Sequence, residues 1–201
     1  MTLALRQPLV LASASPRRQD MLRLAGIAFE VIVSEAEAGA EASGRPPQRA
    51  ALNARLKALD VAPAYPGRLV VGADTVVALG STVLEKPVDV ADARRMLEQL
   101  SGRKHQVYTA FAVVAGGEAR VLVEETVEST VAFRKLTRDE IEAYVASGDP
   151  LDKAGAYGIQ SGGGDLVAEV IGSYLNVVGL PLGRLQAALA ALGWTGAAKE
   201  N

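Results

Sequence analysis

Four short segments carry residues whose types and spacing suit phosphate chemistry. In SASPRR, Ser13 to Arg18, a proline follows Ser15 and two arginines follow the proline. Ser15 and Pro16 make a helix-start signature, a capping hydroxyl ahead of a proline in the first helical position. Cations in a first helical turn oppose the macrodipole by about 0.3–1 kcal/mol each. Arg17 and Arg18 are therefore costly there unless an anion lies at that end. Backbone N–H groups, the hydroxyls of Ser13 and Ser15 and two guanidiniums can then converge on phosphate oxygens; the alternative is a pair of solvated arginines. In VVGADTVV, Asp74 closes an apolar run and Thr75 follows at once. A carboxylate at the end of a buried strand needs a cation, a metal or hydrogen bonds. Asp74 thus reads as a metal ligand, a general base or a capping turn residue.

The other two segments are weaker alone. In LEKP, Leu84 to Pro87, a hairpin folding back would return Glu85 or Lys86 toward Asp74, and lysine is an apt point charge for a triphosphate; a surface Glu/Lys pair fits as well. Lys57, on its own in a helix, is by default a solvated lysine. In DKAGAYGIQSGGGD, Asp152 to Asp165, glycines allow close approach of backbone to a ligand. Asp152 and Lys153 add charges, and Gln160 adds a donor and an acceptor suited to a base edge. The segment lacks both the GK[ST] ending of a phosphate-binding P-loop and the G-x-G-x-x-G spacing of a dinucleotide site, and a mobile turn explains its glycines equally. His105, the single histidine, precedes a strand and reads as structural before it reads as a base.

These residues need elements to hold them. Leu9–Ser13 reads as a buried strand feeding a helix from Ser15 to Gly26, and Phe29–Val33 as a second strand. A polar loop over Glu35–Pro47 leads to a helix over Pro47–Ala62. Arg68–Asp74 reads as a strand ending at its aspartate, followed by a Val76–Leu84 hairpin turning at Gly80 and Ser81. Asp89 caps a helix through Leu100. Strands over Val107–Val114 and Val121–Phe133 join through Gly116 and Gly117, and Thr137 with Glu140 has capping-box spacing for a helix ending near Gly148. After a glycine-rich stretch, a strand spans Leu166–Ile171 and a last helix runs from Pro181 to Leu192, ahead of a frayed tail over Thr195–Asn201. The alternation predicts an α/β fold with a mixed twisted sheet and flanking helices.

Composition removes whole classes of chemistry. The 201 residues include 21 Lys+Arg and 23 Asp+Glu, a net charge of −2, with no long basic run. A nucleic-acid polymer is a poor partner for such a chain. At 49% hydrophobic and 22% charged the sequence suits a folded domain with its own core. Without cysteine there is no disulfide framework, thiolate zinc site or cysteine nucleophile. Carboxylates remain as metal ligands, and they favour hard ions such as magnesium or manganese. The apolar start lacks a positive n-region and is broken by Arg6 and Pro8, so it reads as a strand rather than a signal peptide. With no stretch long enough to span a membrane, the cytoplasm is the expected location.

Taken in order, SASPRR, GADT, EKP, SGRKHQVYTA, DKAGAYGIQ and GSYLNVVGLP resemble the Maf family of nucleoside triphosphate pyrophosphatases along nearly the whole chain. The resemblance implies a single domain over residues 1–201, two-lobed around a nucleotide cleft and similar in architecture to the inosine triphosphate pyrophosphatases. It implies metal-assisted hydrolysis of a nucleoside triphosphate to the monophosphate and pyrophosphate, and a possible homodimer. By the same resemblance Asp74 is the proton acceptor, and Arg17, Thr75 and Gln160 are specificity positions matching the branch that acts on dTTP and UTP. Lys57 and Lys86 match phosphate contacts. The family's acidic pair after the second strand is here Glu37 followed by Ala38, so only Glu37, or Glu35 near it, is left to join Asp74 as a metal ligand.

The expected chemistry is water attack on the α-phosphorus. Arg17, Arg18, Lys57, Lys86 and the metal neutralise the triphosphate, while Asp74 acts as general base or holds a metal-bound water. Two alternatives stand beside it: a nucleotide-binding regulator of septum formation whose hydrolysis is incidental, and a nucleotide-sugar transferase, whose pyrophosphate release would require a sugar phosphate.

Overall fold

A computed structural model describes residues 6–37 and 44–196. The expectations for Ala38 and for most of the Thr195–Asn201 tail lie outside the described residues. Among the described residues seven strands are present: β1 (Leu9–Ala12), β2 (Phe29–Val31), β3 (Leu69–Leu79), β4 (Thr82–Leu84), β5 (Lys104–Ala115), β6 (Arg120–Phe133) and β7 (Val167–Ile171). They hydrogen-bond in the order β2-β1-β3-β5-β6-β7, with β4 paired to β3. β1 runs parallel to β2 and β3, whereas β4 and β7 run antiparallel to their partners. The sheet is mixed, as the hairpins predict. Among the described residues six α-helices accompany it: α1 (Pro16–Leu24), α2 (Pro46–Val61), α3 (Val90–Leu100), α4 (Arg138–Ala146), α5 (Tyr174–Val178) and α6 (Leu182–Ala191).

The chain forms two compact units. The first comprises residues up to Asp74, Thr109–Val127 and those from Gly179 on; the second comprises Thr75–Tyr108 and Glu128–Val178. In the first unit α2 buries a stripe of small residues, Ala50, Ala54, Ala58 and Val61, and Asn53 and Lys57 lie on the same buried face. Ala58 and Val61 pack with Val10, Val70 and Val114 of the strands. In the second unit Leu97 and Leu100 of α3, Ile141 and Val145 of α4 and Phe133 of β6 share a core. Asp89 caps α3 by accepting the Asp92 N–H, and Thr137 and Glu140 form a reciprocal capping box on α4.

Four boundaries differ from expectation in ways that matter. β3 does not stop at Asp74 but continues through it to Leu79, because the β-branched run after the aspartate keeps the strand extended and the carboxylate finds partners within the sheet's cover. β5 begins at Lys104, so His105 lies inside a strand, fully buried, rather than ahead of one. Ser15 occupies the N-cap position of α1, yet its hydroxyl caps no helical N–H. The glycine-rich stretch contains three short 3₁₀ turns, Asp149–Asp152, Ala154–Ala156 and Gly162–Leu166, instead of open loop. Helix α5, one short turn and a half, gave no readable periodicity.

Candidate active site

The first unit gathers the charged groups around the middle of β3. Gly72 and Asp74 lie two residues apart and so point to the same face of the strand. A Cβ at Gly72 would stand 2.2 Å from the Ala54 carbonyl oxygen and 2.7 Å from the Ala58 nitrogen. Glycine there lets α2 lie almost on the strand's backbone, and that contact puts Asp74 within reach of the helix. Asn53 and Lys57, one helical turn apart, meet it: Asn53 Nδ2 donates to Asp74 Oδ2 at 3.1 Å, and Lys57 Nζ to Oδ1 at 2.8 Å.

Lys57 also lies 2.8 Å from Glu37 Oε1. The Lys57 and Asp74 side chains are 10% and 13% exposed, while Glu37 is 60% exposed. The inner pair is thus withdrawn from water and the outer acid is not. Glu37 follows a segment tied to the same helix, since Ser34 Oγ donates to Asp60 Oδ2 at 2.7 Å and accepts the Ala36 N–H at 3.2 Å. Asn53, Lys57 and Asp60 therefore use one face of α2 to place Asp74, Glu37 and the Ser34 segment.

At the start of α1 the two arginines divide. Arg18 is buried; its Nε donates to the Gly179 carbonyl at 2.8 Å and its Nη1 to Ser13 Oγ at 2.9 Å. Burial lowers its pKa, Asp74 and Glu37 oppose that, and Arg17 reinforces it. Ser13, itself buried, also accepts the Ser15 N–H at 3.3 Å. Arg17 is half-buried and forms no hydrogen bond or ion pair among the described residues. There is no acidic residue in the first turn of α1, so Arg17 is a cation at a helix start with nothing among the described residues to answer it.

The remaining predicted residues belong to the second unit. Thr75 is half-buried on β3, and Lys86 is exposed after β4. The Gly155 N–H donates to the Glu85 carbonyl at 3.0 Å, which ties the EKP segment to the glycine-rich stretch. Lys153 Nζ bonds Asp152 Oδ1 at 2.7 Å, Asp149 Oδ1 at 2.9 Å and the Asp149 carbonyl at 2.7 Å. Asp149 also accepts the hydroxyls of Tyr144 and Ser161. Partial burial works against that carboxylate, but bonds from Ser161, Tyr144 and Lys153 outweigh it and hold its pKa below the usual value. Gln160 is exposed. His105 Nε2 lies 2.8 Å from the Tyr157 hydroxyl, its ring is edge-on to Phe133 and Tyr157, and burial pushes its pKa down to about 4. A neutral imidazole sealed among aromatic rings is a core residue.

A sequence profile described as Maf-like protein matches residues 8–192. The chain belongs to the Maf family. Among relatives, a protein named dTTP/UTP pyrophosphatase from Symbiobacterium thermophilum is 48% identical over 188 residues, covering 94% of this chain and 95% of that one. Another of the same name, from Geotalea uraniireducens, is 45% identical over 185 residues, covering 92% and 95%. Among solved structures, a HAM1 protein from Coxiella burnetii matches with TM-score 0.50 at 16% identity, over 93% of this chain and 99% of that one, a likeness of fold.

For a Maf-family chain the metal question turns on donor chemistry. Among the described residues no three acidic or histidine side chains form a ligating group. Asp74 and Glu37 do converge, each with an oxygen 2.8 Å from the same ammonium. Two hard oxygen donors suit magnesium or manganese when phosphate and water complete the shell. The residues present fit such an ion. Asn53, Asp60 and Ser34 were not legible as site residues. A signal existed for Asn53, a polar side chain on the buried stripe of α2, which only a hydrogen-bond partner in the interior can make inexpensive.

Proposed function

We propose that this chain hydrolyses dTTP and UTP to the nucleoside monophosphate and pyrophosphate. The observation that carries the reading is the meeting, in one unit, of Asp74, Lys57 and Glu37, with Arg18 of α1 close enough to feel both carboxylates, residues that come from separate motifs. Water attacks the α-phosphorus and pyrophosphate leaves. Asp74 takes the proton from that water, with Asn53 holding one carboxylate oxygen and Lys57 the other, so the carboxylate cannot swing away. An ammonium has three protons. Asp74 and Glu37 occupy two, and the third is directed to a phosphate oxygen. Arg17 supplies the unanswered cation at the start of α1, Arg18 frames that turn through Ser13, and Ser15 and Lys86 add phosphate contacts. Thr75 and Gln160 select the base, and Asp152 with Lys153 shapes the stretch that carries Gln160. A magnesium or manganese ion held by Asp74 and Glu37 would neutralise charge on the triphosphate and on the leaving pyrophosphate.

The test is pyrophosphate release over a panel of canonical and modified triphosphates, with magnesium, manganese or neither. Metal-dependent release from dTTP and UTP in preference to purine nucleotides is expected. Tight nucleotide binding with negligible release from every member of the panel would replace the enzyme reading with that of a regulator.

A further inference from the structure

Gln160 stands at the corner of a turn that is anchored on both sides. The Ser161 N–H donates to the Gly158 carbonyl at 3.1 Å, closing a four-residue turn with Ile159 and Gln160 at its corners. Ile159 packs inward against the core of the second unit, and Gln160 points to solvent. Its amide makes no hydrogen bond among the described residues. Before the turn, the Gly158 N–H donates to the Tyr144 hydroxyl at 3.0 Å. After it, Ser161 Oγ donates to Asp149 Oδ2 at 2.6 Å. Tyr144 donates to that same carboxylate oxygen, so both anchors meet at Asp149.

The approach is close. A Cβ at Gly158 would stand 2.6 Å from Ser161 Oγ and 2.6 Å from Lys153 Cε. Two residues earlier, Ala156 holds φ at 59°, a left-handed conformation that a side chain rarely adopts. Tyr144 is buried on α4 and Asp149 opens the next 3₁₀ turn, so the anchors sit on ordered elements. The doubly anchored turn fixes the backbone from which the Gln160 side chain projects, which lowers the cost of ordering its amide against a ligand.

We infer that Tyr144, Asp149 and Ser161 are positioning residues for base selection: they fix the Gly158–Ser161 turn so that the Gln160 side chain projects from a set backbone position. This rests on Gln160 reading the pyrimidine, as proposed above. The clamp belongs to the second unit, whereas Asp74, Lys57 and Arg17 belong to the first, so its loss alters which base is accepted and not how fast a bound triphosphate is cleaved.

The experiment compares wild type, Gln160→Ala, Ser161→Ala, Ser161→Thr and Tyr144→Phe as full-length enzymes, with kcat and KM for dTTP and for dGTP. Tyr144→Phe keeps the ring in its core position, and Ser161 is exposed, so both variants should fold; melting temperatures check this. Ser161→Ala and Tyr144→Phe are expected to raise KM for dTTP about tenfold, the worth of a hydrogen bond at the upper end of the usual range. They should lower the dTTP-over-dGTP preference while kcat stays within about twofold, and Ser161→Thr, which keeps the hydroxyl, should restore the preference. If Gln160→Ala collapses the preference and the two clamp variants leave it intact, the clamp is overturned and the base reading stands. If Gln160→Ala leaves the preference intact, both fall. Equal losses on dTTP and dGTP in the clamp variants would mark a merely structural role and overturn the inference.

Discussion

At 2.8 Å from both Asp74 and Glu37, the Lys57 ammonium joins the groups that the proposed reaction requires, and substitutions near it should separate their roles. Asp74→Asn keeps the shape and the Asn53 side of the site but cannot take a proton. Its kcat should fall at least about a hundredfold, the usual worth of a general base, with an unchanged circular dichroism spectrum; near-wild-type pyrophosphate release would remove Asp74 from that role. His105 makes a prediction of another kind. Its pKa drops from 6.5 to about 4 on folding, so below pH 6.5 the unfolded chain gains a proton that the folded one refuses. The His105 contribution to stability is then level above pH 6.5 and declines as the pH falls toward 4, by up to about 3 kcal/mol over the window. Urea denaturation at several pH values should show that slope, and His105→Phe should flatten it.

Helices and strands decide whether those residues meet. Gly72→Ala would place a methyl carbon against the α2 backbone, where no side chain can move aside. The helix must retreat, at about 1–3 kcal/mol, and Lys57 retreats with it. Both the melting temperature and kcat should fall; if neither changed, the close approach would not be what sets the Asp74–Lys57 distance. Thr137→Ala is the contrasting case. It removes the α4 cap at about 1 kcal/mol and should lower the melting temperature while leaving kcat alone. The capped helices were legible because Asp89 and the Thr137/Glu140 pair carry their signals within four residues. The path of β3 was not. An aspartate in an apolar strand looks like its end until Lys57, 17 residues earlier on another element, is known to neutralise it. The same holds for the Asp149 clamp, whose members are 5 and 12 residues from their shared carboxylate and belong to types common on any surface.

Over the molecule as a whole, the chain passes between its two units four times, at residues 74/75, 108/109, 127/128 and 178/179. Neither unit is a continuous segment. A fragment ending at Asp74 has β1, α1, β2, α2 and half of β3 but lacks the Thr109–Val127 strands and α6 that complete its unit, and circular dichroism should find it unfolded. Net charge belongs to this scale too: at −2 it describes the sum and conceals the local excess of cations on α1. Arg18, near the beginning of the chain, is held by the carbonyl of Gly179, 161 residues later. During synthesis, then, the arginine turn gains this partner only after the 161 residues that separate Arg18 from Gly179 have been made, so the anchor of the α1 start is among the late contacts of folding rather than the early ones.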